Sequence, residues 1–452
     1  MKKSVALMIG AGMLSAHLGP LHAAVTAEEA RKLGTTLTLF GAEKAGNKEG
    51  TIPEYTGGLT TPPAGFDKAK GIRPDPFASE KPLFSIDAKN MDKYADKLTA
   101  GTKALMKAYP DYRIDVYPTH RTVAYPKSVL DNSVKNATVA KLSDDGLSMS
   151  GARGGTPFPI PKTGNEVMFN FQARYQGGHY KVPKMLAYNV DSAGKPVFSV
   201  QADAVVDFPF YDQSKSVVPT EIMRVRMAYT APTRRAGEQV LIIDPMDYTD
   251  KGRRAWQYLP GQRRVRAAPD LSYDTPLSST GGMSTLDDSY LFNGKMDRFN
   301  FELIGKKEMY VPYNAYRLTY HDKPEDVLKP KFINPAMVRW ELHRMWVVEA
   351  KLKEGKRHIY SKRTFYIDED SWAALASDQY DGRGQLWRPG FSYEAPAYDA
   401  SIPSNLTYGH YDLSSGAYYI SSWAGGGGMT VSESLLPGPT WNAETLAGQG
   451  VR

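Results

Sequence analysis

Hydrophobic and polar residues alternate along much of the chain between residues 240 and 372, which is typical of β-strands. The clearest alternation lies in residues 341–368, where a turn at residues 353–356 contains Gly355 and predicts a β-hairpin. Successive side chains of a strand point to opposite faces, so one face of this hairpin is predominantly apolar. That face carries Leu342, Trp346, Val348, Ala350, Leu352, Ile359, Phe365 and Ile367, with Arg344 and Arg363 near its rim. It must be buried against a core, a helix or a hydrophobic ligand.

The opposite face of the predicted hairpin is polar. The predicted register pairs Asp368 with Glu341, next to His343. Two carboxylates beside an imidazole have the composition of a metal site or an acid–base site. The same residues also suit an ordinary solvated surface, and both interpretations stay open. The polar face carries Glu341, His343, Glu349, Lys351, His358, Tyr360, Lys362 and Asp368.

The pattern outside the hairpin predicts a mainly β protein with one principal helix. Residues 91–109 follow helical spacing, with Asn90 as the N-cap. Thr26 and Glu29 have the spacing of a capping box, which predicts a short helix at residues 26–33. Further strands are predicted at residues 167–175, 196–205, 222–229, 240–243, 255–259, 264–267, 303–310 and 316–320. Together these elements predict a large antiparallel sheet or a partly closed barrel.

The start of the chain has the pattern of a secretory signal peptide at residues 1–23. Lys2 and Lys3 precede an apolar stretch at residues 5–14 that is too short to span a bilayer. Cleavage is predicted near Ala23, and the alternative is a retained membrane anchor. The chain has no cysteine, so disulfides, thiolate metal sites and a lipid attached to cysteine are excluded. For a double-membrane bacterium, the predicted location is the periplasm.

Composition divides the predicted mature chain into three parts. Residues 24–89 form an arm rich in proline and glycine with a short helix, residues 90–420 a β-domain capped by the helix at 91–109, and residues 421–452 a glycine-rich tail. The formal net charge of +7 favours solubility. An exported protein of this charge is not expected to bind nucleic acid.

The candidate binding residues outside the hairpin are basic and aromatic. Arg263, Arg264 and Arg266 suit an anionic head group or an acidic partner protein, and they also suit a strand edge that resists pairing with another sheet. Trp256 and Tyr258 suit a core or the wall of a ligand cavity in a barrel-like sheet. The chain has no Gly-x-Ser-x-Gly, P-loop or His-Glu-x-x-His motif, so no catalytic residue, metal or cofactor is expected.

Several sequence blocks resemble the bacterial family called domain of unknown function 1329. The blocks are IPEYTGGL (52–59), VYPTHRT (116–122), GGTPFPIP (154–161), AWQYLPGQRRVRAAP (255–269), GKKEMYVPYN (305–314), ELHRMWVVEAKLKEGKRHIYSKRTFYIDEDSW (341–372) and YDGRGQLWR (380–388). That family is similar to the superfamily of periplasmic lipoprotein carriers and outer-membrane lipoprotein receptors. The resemblance implies that residues 90–420 form a half-open antiparallel barrel, closed by helices around an apolar cavity that holds acyl chains.

The resemblance also implies a function and partners. It predicts a soluble periplasmic carrier or binding protein for a lipid or other hydrophobic molecule, working with an RND-type inner-membrane exporter and an outer-membrane protein. The alternatives are a structural or adaptor protein with a filled core and a periplasmic hydrolase that uses the Glu341, His343 and Asp368 face. The chain is longer than a minimal carrier of that superfamily, and the extra parts are the proline-rich N-terminal arm, residues 274–293 and the residues after 388. They either form docking surfaces or fill the cavity and abolish carriage. The predicted cavity lining is Leu342, Trp346, Val348, Ile359, Phe365 and Ile367, with Trp256 and Tyr258 as further members.

Overall fold

The computed structural model describes residues 25–212, 214, 219–249 and 252–449 of the chain. The predicted signal peptide and the last residues of the predicted tail lie outside this range. Within it, one sheet of sixteen strands organises the fold. No helix in this range is long and apolar enough to cross a membrane.

The strands are β1 (Phe84–Asp87), β2 (Arg113–Val116), β3 (Lys141–Leu142), β4 (Met149–Ser150), β5 (His179–Val190), β6 (Pro196–Asp207), β7 (Glu221–Ala231), β8 (Gln239–Pro245), β9 (Arg254–Leu259), β10 (Arg264–Ala267), β11 (Phe299–Pro312), β12 (Trp340–Leu352), β13 (Lys362–Asp368), β14 (Ala374–Tyr380), β15 (Leu386–Tyr393), β16 (Thr407–Asp412), β17 (Ala417–Trp423) and β18 (Thr430–Ser432). The α-helices are α1 (Ala27–Ala30), α2 (Ala100–Ala108), α3 (Lys127–Val139), α4 (Gly164–Gln172), α5 (Tyr316–Thr319), α6 (Pro324–Val327) and α7 (Thr445–Gln449). Short 3₁₀-helices lie at Met91–Lys97, Pro209–Tyr211, Pro260–Gln262, Ser278–Thr280, Leu286–Leu291, Pro335–Met337, Gly425–Gly427 and Gly438–Trp441.

The large sheet is almost entirely antiparallel and remains open. Its order is β1-β2-β12-β13-β14-β15-β16-β17-β5-β6-β7-β8-β9-β10, with β11 added to β12 and β18 added to β5. A single bridge between Trp340 and Val116 is parallel. In the described part of the chain β1 and β10 stand at opposite ends of this order and do not pair with each other. The predicted mainly β, half-open barrel with helices is therefore confirmed.

The two faces of the sheet are covered by different segments. We call the inner face the one that carries Val225 on β7, Tyr408 on β16 and Arg363 on β13. Residues 277–293, which we call the cover segment, lie over this face and include two of the 3₁₀-helices. On the outer face, Leu241 of β8 and Tyr258 of β9 pack with Trp441 and Leu446 from near the end of the chain.

The predicted hairpin exists, but its register is wrong by four residues. Asp368 pairs with Met345 rather than Glu341, and Val348 pairs with Phe365. The shift is an even number, so each residue that lies within β12 or β13 keeps its predicted face. The cause is a longer connection at residues 353–361, where the backbone N–H of Ile359 donates to Asp274 Oδ2 at 3.1 Å instead of joining a strand ladder.

The predicted continuous helix at residues 91–109 is wrong. A 3₁₀-helix kinked at Tyr94 comes first, and α2 begins anew because the Thr99 side chain accepts a hydrogen bond from Thr102 N. Asn90 makes no capping bond with its side chain. The start of α2 donates its backbone N–H groups to Asp378, at 2.8 Å from Gly101. Because the next residue along β14 contacts the cover segment on the inner face, α2 packs on the outer face and does not cap the inner one.

Two further predicted strands are wrong, and the remaining six coincide with observed strands. Residues 167–175 fall mostly in α4, which begins with a capping box between Thr163 and Glu166. Residues 316–320 contain α5 (Tyr316–Thr319) in place of a strand. The short predicted helix at residues 26–33 is confirmed as α1, with its capping box. The predicted strands at 196–205, 222–229, 240–243, 255–259, 264–267 and 303–310 correspond to β6 to β11.

Candidate functional site

A cavity of about 100 Å³ lies between the inner face of β5–β8 and the cover segment. The cover segment contributes Leu277, Leu286 and Tyr290 to its wall. The strands contribute mainly apolar side chains, among them Val200, Ala204, Val206, Val225, Met227 and Ile242. The cavity is thus bounded by the sheet on one side and by an added segment of irregular structure on the other.

The sequence of the strands explains why this wall is apolar and why it leaves space. Val200, Ala204 and Val206 follow the two-residue period of β6 and therefore share the inner face. Ala204 stands beside Met227 of β7 in the register. Protein interiors are closely packed, so a small side chain among larger ones leaves a space. The other side chains of the sheet do not fill the space beside Ala204.

Polar contacts hold the cover segment over the cavity. The hydroxyl of Ser199 donates to the carbonyl oxygen of Ser279, and the hydroxyls of Tyr180 and Tyr290 lie 2.9 Å apart. Tyr290 has a φ of 54° and the following leucine a φ of 76°, which bulky residues seldom adopt. Such backbone conformations persist where surrounding contacts determine them, so the sheet holds the segment in a strained form.

A row of polar side chains continues the inner face beyond the cavity. The row is Arg363 on β13, Gln379 on β14, Arg388 on β15, His410 on β16 and Tyr419 on β17. Arg363 is fully buried, and burial lowers the pKa of His410 to about 4, so this imidazole is neutral at pH 7. An apolar cavity and a row of polar side chains therefore adjoin on one face of the sheet.

Two aspartates of the cover segment insert into this polar row. Arg363 Nη1 donates to Asp287 Oδ2 at 3.2 Å, and Nη2 donates to Asp288 Oδ1 at 2.9 Å. Tyr360 and Gln379 each donate to Asp288 at 2.8 Å, and His358 Nε2 lies 3.0 Å from Asp287 Oδ2. Burial opposes the ionisation of Asp287, but Arg363 and His358 outweigh it and hold the pKa of this carboxyl well below its usual range. The cover segment is thus fixed to the sheet by an ionised contact.

The eight residues predicted to line a cavity lie outside the wall of this one. Val348 and Phe365 share the inner face but belong to its far half, where Phe292 packs 5.6 Å from Phe365 and 5.9 Å from Phe301. Leu342 and Ile367 are buried in the same core, Trp346 is partly buried against it, and Ile359 lies half-buried in the connection after β12. Trp256 and Tyr258 lie on the outer face, under the end of the chain. A ligand-lining role for these eight residues stays a prediction.

The polar face of the hairpin is buried at the end that carries Glu341, His343 and Asp368, whereas Lys351 at its other end is exposed. Glu341, His343 and Asp368 are at most 1% exposed. Glu341 accepts hydrogen bonds from Asn314 Nδ2 at 2.9 Å and from the backbone N–H of His120 at 2.8 Å, and it lies 3.1 Å from His343 Nε2. Its oxygens are therefore occupied by the protein itself. Among the described residues, no group of three or more histidines and carboxylates is arranged to hold a metal ion.

Glu394 belongs to the same buried region and gives a pH-dependent prediction. Burial, with a smaller effect of Asp368, raises the pKa of Glu394 from 4.5 to about 8. The folded chain therefore binds a proton that the unfolded chain loses above pH 4.5, so the associated stability is complete below that pH and is lost as the pH rises through 8. Between pH 5 and 8 we expect the free energy of unfolding of the wild type to fall, relative to Glu394→Gln, by about 1.4 kcal/mol per pH unit.

Urea unfolding at pH 5, 6, 7 and 8 measures this difference. Glu28→Gln, at an exposed position of α1, serves as the control and is expected to follow the wild type. Parallel pH profiles for the wild type and Glu394→Gln would contradict a proton held by Glu394.

The predicted basic patch lies at the open edge of the sheet. Arg263, Arg264 and Arg266 are exposed, the first in the turn before β10 and the others on that strand. Strand β10 pairs with β9 and ends the order of the sheet, so charged side chains here oppose pairing with another chain. A contact with a head group or a partner protein stays a prediction.

Sequence and structure comparisons find related proteins. A family model described as "Protein of unknown function (DUF1329)" matches residues 85–446. The protein PA3922 of Pseudomonas aeruginosa, described as uncharacterized, is 42% identical over 428 residues, which is 92% of each chain. The crystal structure of a DUF1329 family protein from Desulfovibrio piger is 14% identical, with a TM-score of 0.40 over 61% of this chain and 93% of that one. The LolA superfamily protein NE2245 from Nitrosomonas europaea is 10% identical, with a TM-score of 0.35 over 62% and 98%.

Proposed function

Because this chain belongs to the DUF1329 family, whose description names no activity, we propose its function from the geometry of the inner face. We infer that it is a periplasmic carrier or binding protein for a lipid or other hydrophobic molecule. The observation that carries this proposal is the cavity between the apolar strands β5–β8 and a separate cover segment. A surface of this kind binds by removing apolar area from water, at roughly 25 cal/mol per Å².

The size of the cavity sets a condition on this function. Its volume is about 100 Å³, below the roughly 150 Å³ of an apolar cavity known to take a molecule as small as benzene. A lipid chain therefore fits only when the cover segment moves away from β5–β8. At the cavity itself, Ser199 and Tyr180 contact that segment through single hydrogen bonds, which exchange readily for bonds to water. The ionised contact of Asp287 and Asp288 with Arg363 holds the segment more firmly.

The location and partners in this proposal rest on the sequence. The start of the chain has the pattern of an export signal, which supports a location in the periplasm. The resemblance to lipoprotein carriers supports a role in which the protein works with an RND-type exporter of the inner membrane and an outer-membrane protein. The exposed arginines at β10 offer an edge for such a partner.

A second candidate is a structural or adaptor protein with a filled core. The packing of Phe292 against Phe301 and Phe365 favours it, because these rings fill part of the inner face at β12 and β13. The hydrolase alternative has less support, since Glu341 and His343 are buried away from any substrate.

Filling the cavity tests the carrier proposal. Ala204→Phe places a ring in the cavity wall, and we expect it to weaken the binding of dansyl-undecanoic acid at least tenfold, as measured by the rise in dansyl fluorescence. The matched control is Ala267→Phe, at an exposed position of β10, which should bind as the wild type does. Absence of saturable binding to the wild type would favour the adaptor. Equal binding by both variants would place the ligand elsewhere.

A further inference from the structure

We propose that the cover segment occupies the binding site for the anionic head group of an amphiphile. Asp287 and Asp288 take the place of head-group oxygens on Arg363, while the hydrocarbon chain of the ligand would take the apolar cavity. This inference rests on the proposed function and names the class of ligand that the carrier would hold.

The hydrogen bonds of Arg363 are the first support. The side chain is fully buried, and its guanidinium donates to Asp287, Asp288 and the carbonyl oxygen of Leu291, all in the cover segment. Its Nε has no hydrogen-bond partner among the described residues. Among the described residues, the hydrogen-bond partners of this buried guanidinium all belong to the cover segment. A guanidinium with free donors matches a carboxylate or a phosphate.

The neighbouring donors complete a cradle for an anion. Tyr360 and Gln379 donate to the two oxygens of Asp288 at 2.8 Å each. Arg388 Nη1 donates to the Tyr360 hydroxyl at 3.2 Å, and Arg388 Nε lies 3.3 Å from Asp412, so this second cation has a carboxylate of its own. Because Asp412 pairs with Arg388, the charge of Arg363 is neutralised by the aspartates of the cover segment. Removal of Asp287 and Asp288 would leave a site with a net positive charge and several converging donors.

The anion cradle adjoins the apolar cavity on the same strands. Tyr408 lines the cavity, and His410 stands two residues further along β16 on the same face, 3.1 Å from Gln379 of the cradle. Two residues along a strand span about 7 Å. In the cover segment, Leu286 and Ser289 line the cavity on either side of the aspartate pair. A head group in the cradle therefore places the attached chain at the cavity.

The arrangement couples the ligand's charge to the movement of the cover segment. A buried guanidinium without a partner is strongly unfavourable, so the segment leaves readily only when another anion replaces its carboxylates. An uncharged amphiphile offers no such replacement. The left-handed backbone conformation of Tyr290 is strained, and this strain would be relieved when the cover segment leaves the sheet.

Calorimetry of the wild type with three probes tests the inference without any substitution. We expect decyl phosphate to bind at least tenfold more tightly than 1-decanol, and inorganic phosphate alone to show no saturable binding at millimolar concentration. Equal affinities for decyl phosphate and 1-decanol would overturn the head-group site but would not affect the proposed carrier function. Inorganic phosphate binding as tightly as decyl phosphate would show a site for a free anion and overturn the inference. Binding of neither amphiphile would overturn the proposed function as well.

Variants of the aspartate pair provide a second test. Asp287→Asn with Asp288→Asn removes the competing charges, and we expect it to bind decyl phosphate at least tenfold more tightly than the wild type. The control Asp270→Asn, at an exposed position before the cover segment, should leave the affinity unchanged. Adding Arg363→Met to the pair should abolish the preference for decyl phosphate over 1-decanol. Weaker binding of decyl phosphate by the aspartate variant, or a preference that survives the loss of Arg363, would overturn the inference.

Discussion

Replacing Arg363 with methionine is expected to lower the free energy of unfolding by about 3–5 kcal/mol, because it leaves two buried carboxylates without their cation. Asp287 is 3% exposed and Asp288 is fully buried, so water cannot replace the lost guanidinium. Methionine keeps most of the apolar stem, which limits the contribution of lost packing. The measurement is urea unfolding at pH 7, followed by circular dichroism.

Two further variants separate the charge effect from general damage. Arg383→Met removes an exposed arginine from its ion pair with Asp381, and it should cost less than about 1 kcal/mol. Combining Arg363→Met with Asp287→Asn and Asp288→Asn should recover most of the lost stability, since the whole ionised group is then gone. If Arg363→Met and Arg383→Met lower the free energy of unfolding equally, the contact between the cover segment and the sheet does not stabilise the fold as proposed.

The strands and their faces could be predicted because they depend on neighbouring residues. The alternation in β6 to β11 places apolar side chains on one face wherever the partner strands lie. This rule places Val348 and Phe365 on a common face, and in the structure they share a face although the register differs from the predicted one by four residues. Alternation alone does not distinguish an open sheet from a barrel. The half-open barrel is predicted only by the family resemblance.

The register and the cavity could not be predicted because they depend on contacts distant in sequence. Tyr360 leaves the strand ladder to bind Asp288, 72 residues earlier in the chain. The position of the cover segment also decides which half of the inner face is filled and which keeps a cavity. It fills the half at β12 and β13 with Phe292 and leaves a space at β5–β8.

Some of the wrong secondary-structure predictions could have been avoided, because the sequence contains a local signal for the start of a helix. Thr163 and Glu166 have the spacing of a capping box, and this pattern predicts the helix observed at α4 in place of a strand. Thr99 is a strong N-cap residue in the middle of the predicted helix at 91–109, and α2 begins at the residue that follows it. Thr285 and Asp288 also have capping spacing, and both belong to the cover segment. In each case the capping residue marked a start that the apolar spacing alone did not show.

Locking the cover segment to the sheet should abolish ligand uptake. The Ser199 hydroxyl donates to the Ser279 carbonyl oxygen, so these residues are neighbours across the cavity rim. The natural chain has no cysteine, so Ser199→Cys with Ser279→Cys introduces the only two thiols. A disulfide between them would hold the segment in place, and the cavity of about 100 Å³ would stay too small for an acyl chain.

The binding of dansyl-undecanoic acid to this double-cysteine variant, oxidised and then reduced, tests the central claim most directly. Mass spectrometry and thiol titration first establish that the disulfide has formed, and each single-cysteine variant serves as a control. The account predicts background fluorescence for the oxidised protein and wild-type binding after treatment with dithiothreitol. Full binding by the oxidised protein would contradict the claim that a hydrophobic ligand enters beneath residues 277–293.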